Sequence, residues 1–185
     1  MTQTTTKTKL NFEEYLDYDD GTDNRYELED GELILMNPPT FRHAFIISFL
    51  TNAFASQIKQ LNLPWITLSG IGVRTSISRA RIPDICIVNR EEIPNLDVSA
   101  VMESAIIAVE IVSPESRSRD YRFKRSEYSV VGITEYWIVD PTEQKVTVLT
   151  LVEGLYEQVE FRGSDKIISQ ILPELTLTVE QVLQG

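Results

Sequence analysis

Two apolar runs, each carrying one carboxylate, constrain this 185-residue chain more than any other feature. One is Arg81-Ile82-Pro83-Asp84-Ile85-Cys86-Ile87-Val88. The other is Ala105-Ile106-Ile107-Ala108-Val109-Glu110-Ile111-Val112. Both are apolar enough for buried strands, and a carboxylate inside such a strand is costly unless it is paired or coordinates a metal. Alternate side chains share a strand face. Asp84 therefore lies with Ile82, Cys86 and Val88, and Glu110 with Ile106, Ala108 and Val112. If the strands are neighbours with those faces aligned, the two carboxylates converge. A hard divalent cation such as Mg²⁺ often takes only one or two protein carboxylates plus water. Taken singly, Asp84 also reads as a turn residue and Glu110 as half of a salt bridge.

The segment after Glu110 strengthens the site reading. Ser113-Pro114 ends the strand, because proline lacks the N–H that a ladder needs. Residues Ser116 to about Val131 then read as a helix, on which Asp120, Lys124 and Tyr128 recur every four positions and form one stripe. Five of the 17 basic residues (Arg117, Arg119, Arg122, Lys124 and Arg125) crowd into this short stretch. A solvated helix face is the plain alternative for such a charge run.

These residues resemble a known family. Pro83-Asp84 followed by Glu110-Ile111-Val112 is similar to the PD-(D/E)xK nuclease superfamily, and more closely to a bacterial family of restriction endonuclease-like proteins within it. Further matching pieces are Tyr26-Glu27-Leu28-Glu29-Asp30-Gly31-Glu32-Leu33, His43, Val109–Pro114, then Asp120, Lys124 and Tyr128, and Gly132–Asp140. The resemblance covers roughly residues 10 to 150. It implies a metal-dependent DNA endonuclease with Asp84, Glu110 and Lys124 as catalytic residues, Asp84 and Glu110 holding Mg²⁺ or Mn²⁺. Glu27 becomes a candidate further ligand, with a paired strand residue as its alternative. His43 could hold a phosphate or a water at its helix N-terminus, or be structural. Asp120 and Tyr128 are candidate partners for Lys124, and Arg117 and Arg119 would hold flanking phosphates. One departure matters: the superfamily lysine two residues beyond the acidic residue is Val112 here, and Lys124 is its replacement.

The charge balance qualifies the partner. A net charge of −11 opposes a general nucleic-acid binder, since lysine and arginine carry phosphate affinity. Contact with DNA must be local, through Arg117–Arg125 with Arg74, Arg79 and Arg81. The single cysteine, Cys86, excludes an intrachain disulfide, and one Cys with one His cannot form a structural zinc site. No run has membrane-spanning length and the N-terminus lacks a signal pattern, so no membrane and a cytoplasmic location are expected. A homodimer is expected because a two-strand cut needs two active sites.

The fold expected is α/β, with an α+β mixed sheet. Residues 1–9 read as a disordered, Thr-rich tail and 10–185 as one restriction endonuclease-like domain. Leu10–Leu16 is a short helix capped by Asn11 with Glu14 at capping-box spacing. Arg25–Asn37 is a hairpin turned at Asp30-Gly31. Thr40–Leu61 is a helix capped by Thr40 with a wide apolar face that includes Phe45. Trp65–Thr75 is a strand or long hairpin arm, Ser76–Arg81 a polar turn, and Asn89–Ser104 a loop. Glu135–Val139 is a strand, Lys145–Leu151 and Leu155–Phe161 a hairpin, and Thr178–Leu183 a terminal helical turn. The core order helix, strand, strand, strand, helix, strand over residues 40–140 is what the resemblance implies, extended by the two hairpins into one mixed sheet.

Two other functions compete. A degenerate nuclease fold would act as a homo-oligomeric or DNA-associated interaction module, which the missing lysine and the acidity favour. A hydrolase of smaller phosphate esters is the third reading. There is no P-loop and no nucleophile elbow, so ATP hydrolysis and acyl transfer have no motif.

Overall fold

The computed structural model describes residues 9–93, 95–98 and 101–185. The expected disordered tail falls almost wholly outside them. Eleven strands, β1 to β11, form two sheets among the described residues.

The larger sheet has six strands in the order β11 (Leu155–Arg162), β10 (Lys145–Val152), β9 (Glu135–Asp140), β8 (Ile107–Ile111), β6 (Ile85–Asn89) and β3 (Trp65–Leu68). All neighbours are antiparallel except β8 and β9. The long helix α2 (Phe41–Gln60), N-capped by the Thr40 side chain, covers one face. Ile46, Leu50, Phe54 and Ile58 recur at helical spacing and bury against Ile85, Ile87, Ile107, Val109, Ile111 and Trp137. Phe54 meets the Trp137 ring edge-on at 5.3 Å between centroids. Phe45, expected on this face, lies outside it and is largely exposed.

The opposite face of the large sheet presents Cys86, Val88, Ala108, Val112, Tyr136 and Ile138. A π-helical stretch, Arg119–Lys124, running into α3 (Arg125–Val130), packs there through Tyr128. The smaller sheet has the order β2 (Glu32–Leu35), β1 (Tyr26–Glu29), β5 (Arg79–Arg81), β4 (Gly72–Ser76) and β7 (Val101–Met102). Its hairpin turns at Asp30 and Gly31, both with positive φ, as the two-residue Asp-Gly turn requires. The helix α1 (Phe12–Leu16) carries the expected Asn11–Glu14 capping box and packs Phe12 on Leu28 and Ala80. At the other end, α4 (Val179–Gln184) carries the Thr178–Gln181 capping box.

The structure corrects four local expectations. Trp65–Thr75 is not one strand: β3 and β4 lie in different sheets, separated at Gly70, whose φ is +73°. Ser76–Arg81 is not a turn alone, because Arg79–Arg81 pairs with β4 and touches β1 as β5. The run Arg81–Val88 is not one strand either. It passes from β5 of one sheet to β6 of the other, and Ile82-Pro83-Asp84 is the crossing. The N-terminal hairpin accordingly builds the second sheet instead of extending the first, whereas the C-terminal hairpin does extend it. In each case β-branched and apolar composition marked strand character but not the sheet that would take it.

Candidate active site

The strands that carry the two carboxylates are neighbours, as the convergence requires. Cys86 pairs with Ala108 and Ile85 with Val109 in the antiparallel β6–β8 ladder. Carried one residue further, this register sets Asp84 opposite Glu110. Alternation along β8 turns Ile107, Val109 and Ile111 toward α2, and Ala108, Glu110 and Val112 toward the smaller sheet and the π-helical stretch. Asp84 sits just before β6, held by two contacts. Its Oδ2 accepts from the Ile111 backbone N–H at 2.7 Å, and its Oδ1 lies 2.8 Å from His43 Nε2. His43 comes from the first turn of α2. These two side chains, 17% and 18% exposed, are the solvent-facing edge of the site.

Behind them lies a buried charge cluster. The Lys124 Nζ is 2.9 Å from Glu110 Oε2, 3.1 Å from Glu27 Oε1 and 3.5 Å from Asp120 Oδ1. The Tyr128 hydroxyl donates to Glu110 Oε1 at 2.7 Å. Asp120 Oδ2 accepts from Ser116 Oγ at 2.5 Å. Asp120, Lys124 and Tyr128 all turn inward, so the stripe read from their spacing is present even though half of it lies on π-helical backbone. The Tyr136 hydroxyl donates to the Asp120 carbonyl there. Such a side-chain insertion into a helix ladder disturbs regular α geometry, and π turns are frequent at functional sites.

Charge in this cluster is unbalanced. Burial pushes the Glu110 carboxyl well above the usual carboxylate range; Lys124 opposes this, and Asp120, Asp84 and Glu27 add to it. Burial likewise raises Asp120. For Glu27 burial is outweighed by Lys124 and Arg81, which hold its carboxyl low. Lys124 is kept charged: burial disfavours its ammonium, but Glu110, Glu27 and Asp120 more than compensate. Asp120 Oδ1 is a buried atom with no hydrogen-bond partner. An oxygen-rich cluster short of positive charge suits a hard divalent cation. Among the described residues no group of three or more His, Cys, Asp or Glu side chains is arranged to hold a metal ion.

Other candidates lie elsewhere. Arg117 is committed to Asp140 at 2.5 Å and approaches Glu143 at 3.8 Å, with its guanidinium over the Tyr121 ring. Arg119 has no ion pair with a described residue. Arg74 lies over the Phe12 ring and Arg79 forks onto Asp30. Arg81 is fully buried, so it has no surface to offer DNA. Val112, at the superfamily lysine position, is packed among apolar side chains; Lys124 brings its ammonium to Glu110 from the neighbouring helix instead. Sequence reasoning missed Glu127 and the burial of Arg81. The available signal was that Glu127 lies three residues after Lys124, on the same helix face.

Residues 12–180 match the family model described as "Uma2: Putative restriction endonuclease". The chain belongs to the Uma2 family. Of the residues that carried the resemblance, Glu27, Glu110, Asp120, Lys124 and Tyr128 meet in the buried cluster, and His43 meets Asp84 at its edge. No curated protein matches the chain. Among solved structures, this Uma2 chain is similar to one from Anabaena variabilis described as a "putative nuclease belonging to DUF820". That structure is 19% identical, covers 95% of this chain and 98% of its own, and superposes with a TM-score of 0.79. At that identity the likeness establishes the fold, and the Uma2 match makes the chain nuclease-like.

Proposed function

We propose that this Uma2-family protein is a metal-dependent DNA endonuclease that hydrolyses phosphodiester bonds. The observation that carries the reading is the Lys124 ammonium at 2.9 Å from Glu110, with Asp84 at the adjoining position of the extended β6–β8 register. Asp84 and Glu110 would hold Mg²⁺ or Mn²⁺. When bound, such a cation activates water for attack and offsets charge on the scissile phosphate.

The chain's own residues supply the rest. Glu27, whose carboxyl is held low, keeps Lys124 protonated, so it can donate to a phosphate oxygen as charge develops there, or orient the attacking water. Tyr128 fixes the Glu110 carboxylate through Oε1. The Ile111 N–H and His43 fix Asp84, and His43 stands at the solvent edge where a phosphate would enter. Arg119, without an acidic partner among described residues, is the basic candidate for a flanking phosphate. A homodimer, whose mass light scattering reports, would provide two such sites for a two-strand cut. The one cysteine, Cys86, is buried and free. No helix is long and apolar enough to cross a membrane among the described residues.

The test is cleavage of plasmid and single-stranded DNA with Mg²⁺ or Mn²⁺. Lys124→Ala is expected to lower the rate by about 10²–10³-fold; an unchanged rate would remove Lys124 from the chemistry. The net charge of −11 favours the competing reading, an inactive nuclease fold serving as an interaction module. Loss of metal binding together with cleavage, in a folded wild type, would select it.

A further inference from the structure

The buried Arg81 takes no part in the chemistry above, yet it is the one fully buried cation of the smaller sheet among the described residues. A guanidinium in that position persists only where its donors are met. Its Nε and one terminal nitrogen fork onto Glu127 at 2.8 and 2.7 Å. Its other terminal nitrogen reaches Glu29 at 2.9 Å and Glu27 Oε2 at 3.3 Å. Glu127 is itself braced by the Thr75 hydroxyl at 2.9 Å. The remaining Glu27 oxygen accepts the Ile82 backbone N–H at 3.1 Å and lies 3.1 Å from Lys124 Nζ. The charges therefore alternate in one line: Glu127, Arg81, Glu27, Lys124, Glu110.

We propose that Arg81, clamped by Glu127, is the positioning residue of this site: it fixes Glu27, and through Glu27 it holds the Lys124 ammonium against Glu110. The catalytic consequence rests on the nuclease reading; the positioning itself does not. An ammonium is a point charge on a flexible stem, whereas a guanidinium fork sets direction. With Arg81 on one Glu27 oxygen, only the other is left to Lys124. Without Arg81 both oxygens are free, and Lys124 is drawn away from Glu110. Helix geometry acts in the same sense. Lys124, Glu127 and Tyr128 share a face at i, i+3 and i+4, so the helix is pinned to Arg81 by Glu127 and to Glu110 by Tyr128, with Lys124 between the pins. Arg81 also begins the crossing Ile82-Pro83-Asp84, and the Ile82 N–H bond to Glu27 ties that crossing into the same clamp.

The test uses the full chain and three variants. Arg81→Lys keeps the charge and loses the fork, Glu127→Gln keeps the size and loses the charge, and Thr75→Val removes only the brace. The first readout is the Lys124 Nζ signal in a ¹⁵N–¹H spectrum without metal, assigned by its disappearance in Lys124→Arg. The second is kcat and KM for DNA cleavage, and the third is the thermal midpoint. The expected result is a displaced Lys124 signal in the folded variants, least in Thr75→Val. Cleavage in the first two should fall about 10–100-fold in kcat with KM unchanged. Should Arg81→Lys fail to fold, the milder two still decide. A lowered midpoint with an unmoved Lys124 signal would reduce Arg81 to a structural ion and overturn the proposal. A wild type that cuts no DNA would instead sink the nuclease reading, and the Lys124 signal would still judge the clamp.

Discussion

Lys124 reaches Glu110 from a helix, not from the strand position where a superfamily lysine would stand, and the surrounding carboxylates decide what that ammonium can do. Four acids, Glu27, Asp84, Glu110 and Asp120, face it or each other, and among the described residues only Lys124 and Arg81 are buried cations nearby. Asp120 bears the cost most directly. Burial raises its carboxyl, so the native state holds that proton more tightly than the unfolded chain does. Its contribution to stability is complete below the ordinary carboxylate value of about 4 and is lost as pH rises through the elevated native value. Thermal melts of metal-free protein at acidic and neutral pH should therefore show Asp120→Asn losing less stability on going to neutral pH than wild type loses. An identical loss in both would mean that Asp120 is not held in its protonated form. At this scale the sequence was informative: the stripe Asp120, Lys124, Tyr128 and the facing of Asp84 and Glu110 both follow from residue spacing. It offered Arg81 only as a local DNA contact, because a single arginine before Ile82-Pro83 reads equally as turn, surface or buried ion, and only the carboxylates from β1 and α3 decide.

The elements explain where spacing failed. Periodicity identifies a strand but carries no address, so β3 and β4, and likewise β5 and β6, read as continuous segments although each pair divides between two sheets. The crossing between β5 and β6 is where Asp84 sits, at the seam where Lys124 joins Glu27 of the smaller sheet to Glu110 of the larger. A second buried carboxylate shows the contrasting, purely structural use. Glu135, at the start of β9, accepts from Trp137 Nε1 at 2.6 Å, Ser169 Oγ at 2.7 Å and the Gln170 N–H at 2.8 Å. It fastens the segment after β11 over the sheet, away from the Lys124 cluster. Glu135→Ala leaves those donors unmet and is expected to destabilise by about 3 kcal/mol in denaturant unfolding, with metal binding intact. A change below about 0.5 kcal/mol, the scale of a neutral surface substitution, would show that water replaces it without cost.

The whole molecule sets the terms for any partner. With a net charge of −11, nothing in its overall field draws in a polyanion. Several arginines that might have contacted phosphate are used internally: Arg81 is buried, Arg79 pairs with Asp30, and Arg117 pairs with Asp140. On the proposed function, contact with DNA would be confined to a small patch near His43 and the π-helical stretch, and a divalent cation would supply positive charge where the chain does not. That dependence makes metal binding the direct test of the central claim. Calorimetric titration of Mn²⁺ into wild type and into the Asp84→Ala/Glu110→Ala double variant should give a saturable site in the first and none in the second. A folded wild type that binds no Mn²⁺, or a double variant that binds it equally well, would contradict the account.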